Sequence, residues 1–239
     1  MKKKIMASLL VGSAVVGASL APLSAQAVTT GNTPVQAVVE SGALPDVGGD
    51  GNTVRPDPSA TNNNFDLLFI PREYDFGTLS ISDDLTKPIP NKTDEDITQS
   101  VGQVESIGVG DLRGTKEGWH VTAQSNGLTS GSSTIQGDLA TYNNVVYAIR
   151  YDESSSSYTS READSDPTIM PETINNKSWR LPLGGEAVLV ANAIKGKGQG
   201  LWKMSMITTS LNITTPAYDI KAGVYTGNIT WNLVAGPSI

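Results

Sequence analysis

Apolar residues along this chain alternate with polar residues, and no window shows a convincing 3.6-residue helical period. The clearest segment is the last one, where one face of the predicted strand carries Tyr225, Gly227, Ile229, Trp231 and Leu233. The residues between them are threonines and asparagines on the opposite face. Because successive side chains of a strand point to opposite faces, this alternation is typical of a half-buried β-strand.

Short apolar runs between turn residues fill the chain from Phe65 onwards. These runs are residues 67–70, 121–123, 145–149 and 187–190, and over residues 202–206 Trp202, Met204 and Met206 alternate with polar residues as in the last strand. Their lengths and their β-branched and aromatic residues favour strands over helices. The sequence therefore predicts one all-β domain over residues 65–239, a β-sandwich of short, mostly antiparallel strands. The acidic, serine-rich residues 152–166 are predicted to form a surface loop.

The N-terminal residues have the pattern of a signal peptide. Lysines at positions 2–4 precede an apolar run over residues 5–20, and Ala25-Gln26-Ala27 matches a cleavage site. We therefore predict that residues 1–27 direct export and are removed, leaving an extracellular protein with no membrane span in its mature form. Residues 28–64, rich in Gly, Pro, Asn and Thr, are predicted to form a flexible linker or tail.

Composition excludes several classes of function. The chain has no cysteine and a single histidine, His120. Disulfides, thiolate metal sites, a catalytic thiol and multi-histidine zinc sites are therefore excluded. The net charge is −7, and removal of the three signal-peptide lysines changes it to −10. Because an acidic protein is repelled by polyphosphates, nucleic acid is not expected as a partner.

No residue pattern in the chain indicates catalysis. A serine hydrolase would need His120 as its base, but the sequence has no G-x-S-x-G motif. Acidic residues such as Asp111, Glu117 and Glu186 are scattered, and sequence alone does not place two of them at the separation that glycoside hydrolysis requires. We therefore predict that the protein is not an enzyme and uses no metal and no cofactor.

A basic and aromatic segment contrasts with the acidic remainder of the chain. Between residues 175 and 205, five Lys or Arg residues accompany a single acidic residue, Glu186. The candidate patch consists of Lys177, Trp179, Arg180, Lys195, Lys197, Trp202 and Lys203. Exposed aromatic rings stack on sugars and cations pair with carboxylates, a combination that would suit a wall polymer. The alternative is that these lysines only solubilise hairpin loops.

Two short motifs carry a family resemblance: Gly118-Trp119-His120-Val121, and Thr230-Trp231-Asn232-Leu233, which ends six residues before the C-terminus. Two supporting motifs precede the first tryptophan motif, Asp75-Phe76-Gly77 and Val109-Gly110-Asp111-Leu112-Arg113-Gly114. Two more lie between the tryptophan motifs, Gly198-Gln199-Gly200-Leu201-Trp202 and Gly223-Val224-Tyr225-Thr226-Gly227. The ordered set resembles the WxL-domain cell-wall surface proteins of low-GC Gram-positive bacteria, in particular the small WxL proteins. The first copy departs from the family pattern because Val121 stands in the leucine position.

The resemblance implies a protein held non-covalently on the cell wall, through peptidoglycan, together with other surface proteins that include membrane-tethered ones. The implied wall-binding residues are Trp119, His120, Val121, Trp231, Asn232 and Leu233. The alternative function is a protein–protein assembly module, retained by a partner surface protein or binding a host matrix protein. Such a module would add a strand to an exposed edge, such as the strand of Trp202 or of Tyr225.

The motif tryptophans have two possible roles at this stage. Trp119 and Trp231 each alternate with apolar neighbours, which predicts packing in the core. Removal of a buried tryptophan costs about 3–5 kcal/mol, so a variant can lose wall binding simply because it unfolds. The second interpretation is direct contact with the wall ligand.

Overall fold

The computed structural model describes residues 33–49, 52–56, 63–92, 104–162, 166–174 and 177–238. The predicted signal peptide lies outside these residues. The chain divides into two units, Met1–Val38 and Val39–Ile239. In the first unit, the described residues 33–38 are exposed and have no regular secondary structure. No helix among the described residues is long and apolar enough to cross a membrane.

The second unit is built from strands, as the alternating pattern predicts. In chain order they are Thr53–Val54 (β1), Phe65–Pro71 (β2), Ile89–Pro90 (β3), Glu105–Asp111 (β4), Trp119–Ser125 (β5), Leu128–Ser130 (β6), Ser133–Ile135 (β7), Gly137–Asp152 (β8), Ser157–Glu162 (β9), Glu172–Thr173 (β10), Trp179–Pro182 (β11), Val188–Ala193 (β12), Gly200–Ile213 (β13) and Ile229–Ala235 (β14). A 3₁₀ turn, Ala217–Asp219, precedes the last strand.

The strands form two main sheets. The eight-stranded sheet has the order β1-β2-β4-β13-β8-β11, with β3 beside β13 and β9 beside β8. The four-stranded sheet has the order β10-β12-β5-β14, and β6 and β7 form a separate hairpin. All of these strand pairs are antiparallel.

The main core lies between the two sheets. The eight-stranded sheet contributes side chains that include Ile107, Val109, Met204 and Met206, and the four-stranded sheet contributes Trp119, Val121, Ala123 and Val190. Each sheet buries one face against the other, which is the arrangement of a β-sandwich. The all-β, antiparallel fold expected from the sequence is confirmed.

Two central strands are longer than the short strands expected. β8 has 16 residues and β13 has 14. They pair with each other from Trp202 opposite Ala148 to Ile213 opposite Gly137, while β4 pairs with the other edge of β13. Threonines, serines and asparagines interrupt the apolar runs in these strands, but their main chains still pair. The apolar runs therefore marked only part of each strand.

The prediction of a surface loop over residues 152–166 is wrong. β8 continues to Asp152 and the chain returns as β9, which pairs with β8 over residues 157–162. Tyr151 and Tyr158 face each other across the hairpin, with ring centroids 5.3 Å apart. Main-chain pairing, the Tyr151–Tyr158 contact and packing of Tyr158 on an apolar cluster that includes Ile149 hold this hairpin, and the polar residues of β9 gave no apolar pattern in the sequence.

The last strand begins later than the alternation predicts. Alternation starts at Tyr225, but β14 starts at Ile229. Thr226 forms only an isolated bridge with β6. A Cβ at Gly227 would lie 1.9 Å from the carbonyl oxygen of Gly127, so the main chain passes very close to a neighbouring segment here. The chain therefore joins β5 only after this contact.

Within the part of the predicted linker that belongs to the second unit and is described, two places contact the sandwich. β1 pairs with β2, and Leu44 is buried in a second apolar cluster that includes Phe69. Space for these side chains comes from glycines of β4, because a Cβ at Gly108 would lie 2.5 Å from the Phe69 ring and one at Gly110 would lie 2.3 Å from Leu44. Local composition does not reveal this tertiary contact.

Candidate functional site

The two tryptophan motifs lie side by side in the four-stranded sheet. β5 carries the first motif and β14 the second, and Val121 lies directly opposite Leu233. Trp119 and Trp231 each lie opposite an alanine of the other strand, on either side of that pair. The two indoles therefore belong to the same inner face and stand four residues apart along the strands, about 13 Å.

The first motif points its tryptophan into the main core. Trp119 is 0% exposed, and its indole Nε1 donates a hydrogen bond to the carbonyl oxygen of Gly198 at 2.9 Å. Gly198 has φ +77°, and a Cβ there would lie 2.5 Å from that Nε1 atom. Val121 is also completely buried. In this conformation a ligand outside the sheet does not reach either side chain.

The second motif is only partly covered. Trp231 and Leu233 are partly buried against the main core, whereas Asn232 is exposed. The Trp231 ring packs edge-to-face on Trp179, with centroids 6.1 Å apart and an interplanar angle of 81°. Among the described strands β14 pairs only with β5, so β14 is an edge strand of its sheet.

An ion pair lies beside the point where the ends of the two motifs meet. The Arg113 guanidinium donates to the buried carboxylate of Asp111 from Nε at 2.9 Å and from Nη2 at 2.8 Å. These hydrogen bonds raise the pKa of Arg113. The Nη2 group also donates to the carbonyl oxygen of Gly118 at 3.0 Å, and the same oxygen accepts the N–H of Gly236. The residue before Trp119 and the residue after β14 therefore meet at one oxygen atom.

The outer face of the four-stranded sheet is polar. Because side chains alternate along a strand, the residues between the inward-pointing ones face away from the core. This outer surface, which we call the motif face, consists of His120, Thr122 and Gln124 of β5, Thr230 and Asn232 of β14, and Asn192 of β12. It presents amide, hydroxyl and imidazole groups together with one exposed apolar side chain, Val234, which lies opposite His120.

Half of the motif face is bonded internally. His120, Asn192 and Gln124 make hydrogen bonds to main-chain atoms, at 2.8, 2.9 and 3.2 Å respectively. The other three side chains, two threonines and Asn232, have no hydrogen-bond partner in the described part of the chain. These three groups are therefore available to donate to and accept from a ligand.

Four residues of the motif face, Thr122, Gln124, Asn192 and Thr230, were not among the wall-binding residues expected from the sequence. Gln124 continues the alternation of β5, so the strand period could have identified it. Asn192 lies opposite His120 only because the pairing of β12 with β5 shifts between Leu189 and Ala191. Such a register shift leaves no local signal in the sequence.

The basic and aromatic segment does not form a single patch. Trp179 and Trp202 are 4% and 3% exposed and lie in the main core. The expectation that these rings are exposed beside the cations is therefore wrong. Both tryptophans occupy inward positions of their strands, while the neighbouring Arg180 and Lys203 occupy the outward positions.

Two of the cations of this segment interact with other residues of the eight-stranded sheet. Arg180 pairs with Asp138 at 2.9 Å. The Lys203 ammonium lies 5.9 Å from the centroid of the Tyr147 ring. These two cations lie on different parts of β11 and β13, because Arg180 pairs with the start of β8 and Lys203 with its later part.

The other three cations lie near the four-stranded sheet. Lys195 is exposed in the connection from β12 to β13. Lys177 and Lys197 line one cleft of about 450 Å³. In this cleft the Lys197 ammonium pairs with Glu172 at 2.7 Å. The structure thus brings together two of the five cations.

The described residues hold no group of three or more His, Asp or Glu side chains placed to bind a metal ion. Among the carboxylates considered for acid–base chemistry, Asp111 is 1% exposed and is held by Arg113. Glu117 also contacts Arg113. Both carboxylates therefore hold Arg113, whose guanidinium contacts the residue before the first motif.

Comparison with known families agrees with the arrangement of the motifs. The sequence model of a family described as "WxL domain surface cell wall-binding" matches residues 25–237, which include both tryptophan motifs. No curated protein and no solved structure matches the chain. Because the family model covers most of the chain, this protein belongs to the WxL domain family of surface cell wall-binding domains.

Proposed function

We propose that this protein is an exported, non-catalytic protein of the Gram-positive cell surface that binds peptidoglycan non-covalently through the motif face. Membership of a surface cell wall-binding family supports the wall as the partner. The signal-peptide pattern over residues 1–27 supports export. The observation that carries the proposal is the direct pairing of β5 with β14, which joins the outward residues of both motifs in one polar surface.

The chemistry of the motif face suits a carbohydrate polymer. Amide and hydroxyl side chains both donate and accept hydrogen bonds, as do the hydroxyl and acetamido groups of a wall glycan. Each neutral hydrogen bond contributes only about 0.5–1.5 kcal/mol. A polymer with repeating units offers many equivalent sites, so modest single-site affinity is sufficient for retention on the wall.

The proposal divides the six motif residues by role. Asn232 faces outward and is assigned to ligand contact, while His120, which is hydrogen-bonded to the Gly236 carbonyl oxygen, borders the contact site. Trp119 and Val121 are buried and are assigned to positioning the strand. Trp231 and Leu233, which are partly buried on the edge strand, support the outer residues and lie beside the proposed site.

A sedimentation assay with purified sacculi tests this assignment. We expect the mature chain, residues 28–239, to sediment with sacculi and to be released without bond cleavage. A Thr122→Ala/Thr230→Ala/Asn232→Ala variant should bind at least about tenfold more weakly, because three hydrogen-bonding side chains are lost. Thr208→Ala is the matched control, because Thr208 is an exposed strand threonine of the eight-stranded sheet.

Thermal melts of each variant separate binding from folding. A folded triple variant that binds like the wild type would exclude the motif face. A folded wild-type protein that stays entirely in the supernatant would exclude wall binding. Release of soluble wall fragments would exclude the non-catalytic assignment.

A second candidate function is the assembly module, and the open edge of β14 favours it. An edge strand presents main-chain N–H and C=O groups to which a partner can add a strand. The strand of Trp202 does not serve this purpose, because β13 lies between β4 and β8. The partner would be another surface protein, including a membrane-tethered one, or a host matrix protein. If sacculi bind the chain only when such a second protein is added, the assembly function replaces the first proposal.

A further inference from the structure

The edge of β8 that faces away from β13 pairs with two strands, β11 and β9, which leave a gap between them. β11 pairs with residues 138–141 of β8, and β9 pairs with residues 147–152. Between them, residues 142–146 pair with no described strand on this side. A main-chain contact is made by Asn144, whose N–H donates to the carbonyl oxygen of Lys177 at 3.0 Å. The cleft of about 450 Å³ opens at this interruption.

The cleft combines apolar walls with positive charge. Val146 and Met170 line it together with Lys177, Lys197 and Glu172. The Lys197 ammonium is neutralised by Glu172 at 2.7 Å. No described carboxylate pairs with the Lys177 ammonium, so among the described residues that line the cleft one positive charge is uncompensated. An anionic group is the complement of this charge.

A buried polar group also lacks a partner at this place. Asn144 lines the cleft and is 4% exposed. Its Nδ2 group donates to Thr141 Oγ1 at 3.1 Å, but its Oδ1 atom has no hydrogen-bond partner among the described residues. Buried polar groups are ordinarily hydrogen-bonded, so a missing partner is a reason to look for a ligand.

We propose that this cleft binds a short, extended peptide segment that carries a free carboxylate. The peptide lies in the cleft beside the interrupted edge of β8, where one of its main-chain N–H groups supplies the missing partner of Asn144. Its carboxylate pairs with Lys177, and small apolar side chains contact Val146 and Met170. In the context of the wall, the peptide stems of peptidoglycan have this chemistry, and this last identification rests on the proposed function.

Binding of N-acetyl-trialanine to the full mature chain tests the cleft without any wall material. We expect the free acid to bind and its C-terminal amide to bind roughly fivefold more weakly, because an exposed charge pair contributes up to about that factor. Isotope-labelled protein should show the largest NMR shifts at the Asn144 side-chain amide and at Val146. Shifts confined to the motif face or another surface would overturn the proposal.

Two variants and one control identify the groups involved. Lys177→Met should remove the difference between the acid and the amide, while Lys195→Met, a matched exposed lysine outside the cleft, should leave it unchanged. Asn144→Asp keeps the shape but adds a negative charge, so it should weaken binding of the acid more than that of the amide. Equal binding of acid and amide to the wild type, or a Lys177→Met variant that behaves like the wild type, would overturn the proposal.

The outcomes also separate the cleft from the wall-binding proposal. If sacculi bind the chain but the free-acid tripeptide does not, the cleft proposal fails and the proposed function stands. If the tripeptide binds but sacculi do not, the proposed function fails and the cleft is a peptide site for another partner.

Discussion

The two tryptophan motifs have nearly the same sequence pattern but occupy different environments. β5 lies between β12 and β14, and Trp119 in it is 0% exposed. β14 is an edge strand, and Trp231 in it is only partly buried. The position of a strand within its sheet, and not the motif itself, therefore determines how deeply its tryptophan is buried.

Because of this difference, the two tryptophan motifs have different roles. In the first motif, the Trp119 indole donates a hydrogen bond to the Gly198 carbonyl oxygen, and Arg113 donates one to the carbonyl oxygen of Gly118, the residue before Trp119. The outer copy keeps Asn232 exposed and leaves one strand edge open. We therefore expect substitutions in the first motif to affect mainly stability, and substitutions in the second to affect stability less.

The largest effect is expected for Trp119→Ala. The substitution removes a completely buried indole and leaves the Gly198 carbonyl oxygen without its donor, so the free energy of unfolding should fall by about 3–5 kcal/mol. Urea unfolding monitored by circular dichroism measures this loss. Loss of wall binding should parallel the unfolded fraction, and a fully folded variant that fails to bind would show instead that Trp119 contacts the ligand.

Trp231→Ala should have a smaller effect. Its side chain is partly exposed, so we expect a loss of about 2 kcal/mol, which includes the edge-to-face contact with Trp179. The same unfolding measurement applies, with Trp119→Ala as the reference. Equal destabilisation by the two substitutions would contradict the distinction between a central and an edge strand.

The most direct comparison uses the opposed pair Val121 and Leu233, and Leu233→Val is expected to have the smallest effect. Val121→Leu restores the family residue but inserts a methylene at a position with no exposed surface, and should cost about 1–3 kcal/mol. Leu233→Val removes a methylene from a partly buried position and should cost less than about 0.8 kcal/mol. A Val121→Leu variant as stable as the wild type would show that the core has room for the family leucine.

Much of the fold could be predicted because it follows from local alternation. Apolar runs marked parts of β2, β5, β8, β12 and β13, and they correctly placed Trp119 and Trp231 on inward faces. The β8–β9 hairpin and the pairing of β1 with β2 were not predicted. β9 and β1 contain no apolar run, and the main-chain hydrogen bonds that pair them leave no side-chain pattern in the sequence.

The candidate site was predicted less completely. Alternation indicated that His120 and Asn232 face outward, and the order of the motifs indicated the family. Alternation also placed Trp202 on an apolar strand face, whereas the hypothesis of a basic and aromatic patch required Trp179 and Trp202 to be exposed. Strand neighbours in sequence point to opposite faces, so a cation beside a tryptophan does not make the tryptophan accessible.

The sequence by itself determined the strand period, the inward side of each motif strand and the family. Only the tertiary structure decided that β5 and β14 are neighbours, with β5 central and β14 at the edge. It also decided that Lys177 and Lys197 line the same cleft. The physical reason is that strand period is a property of consecutive side chains. Strand order and register, in contrast, depend on which distant segments exclude water together and which main-chain groups then pair.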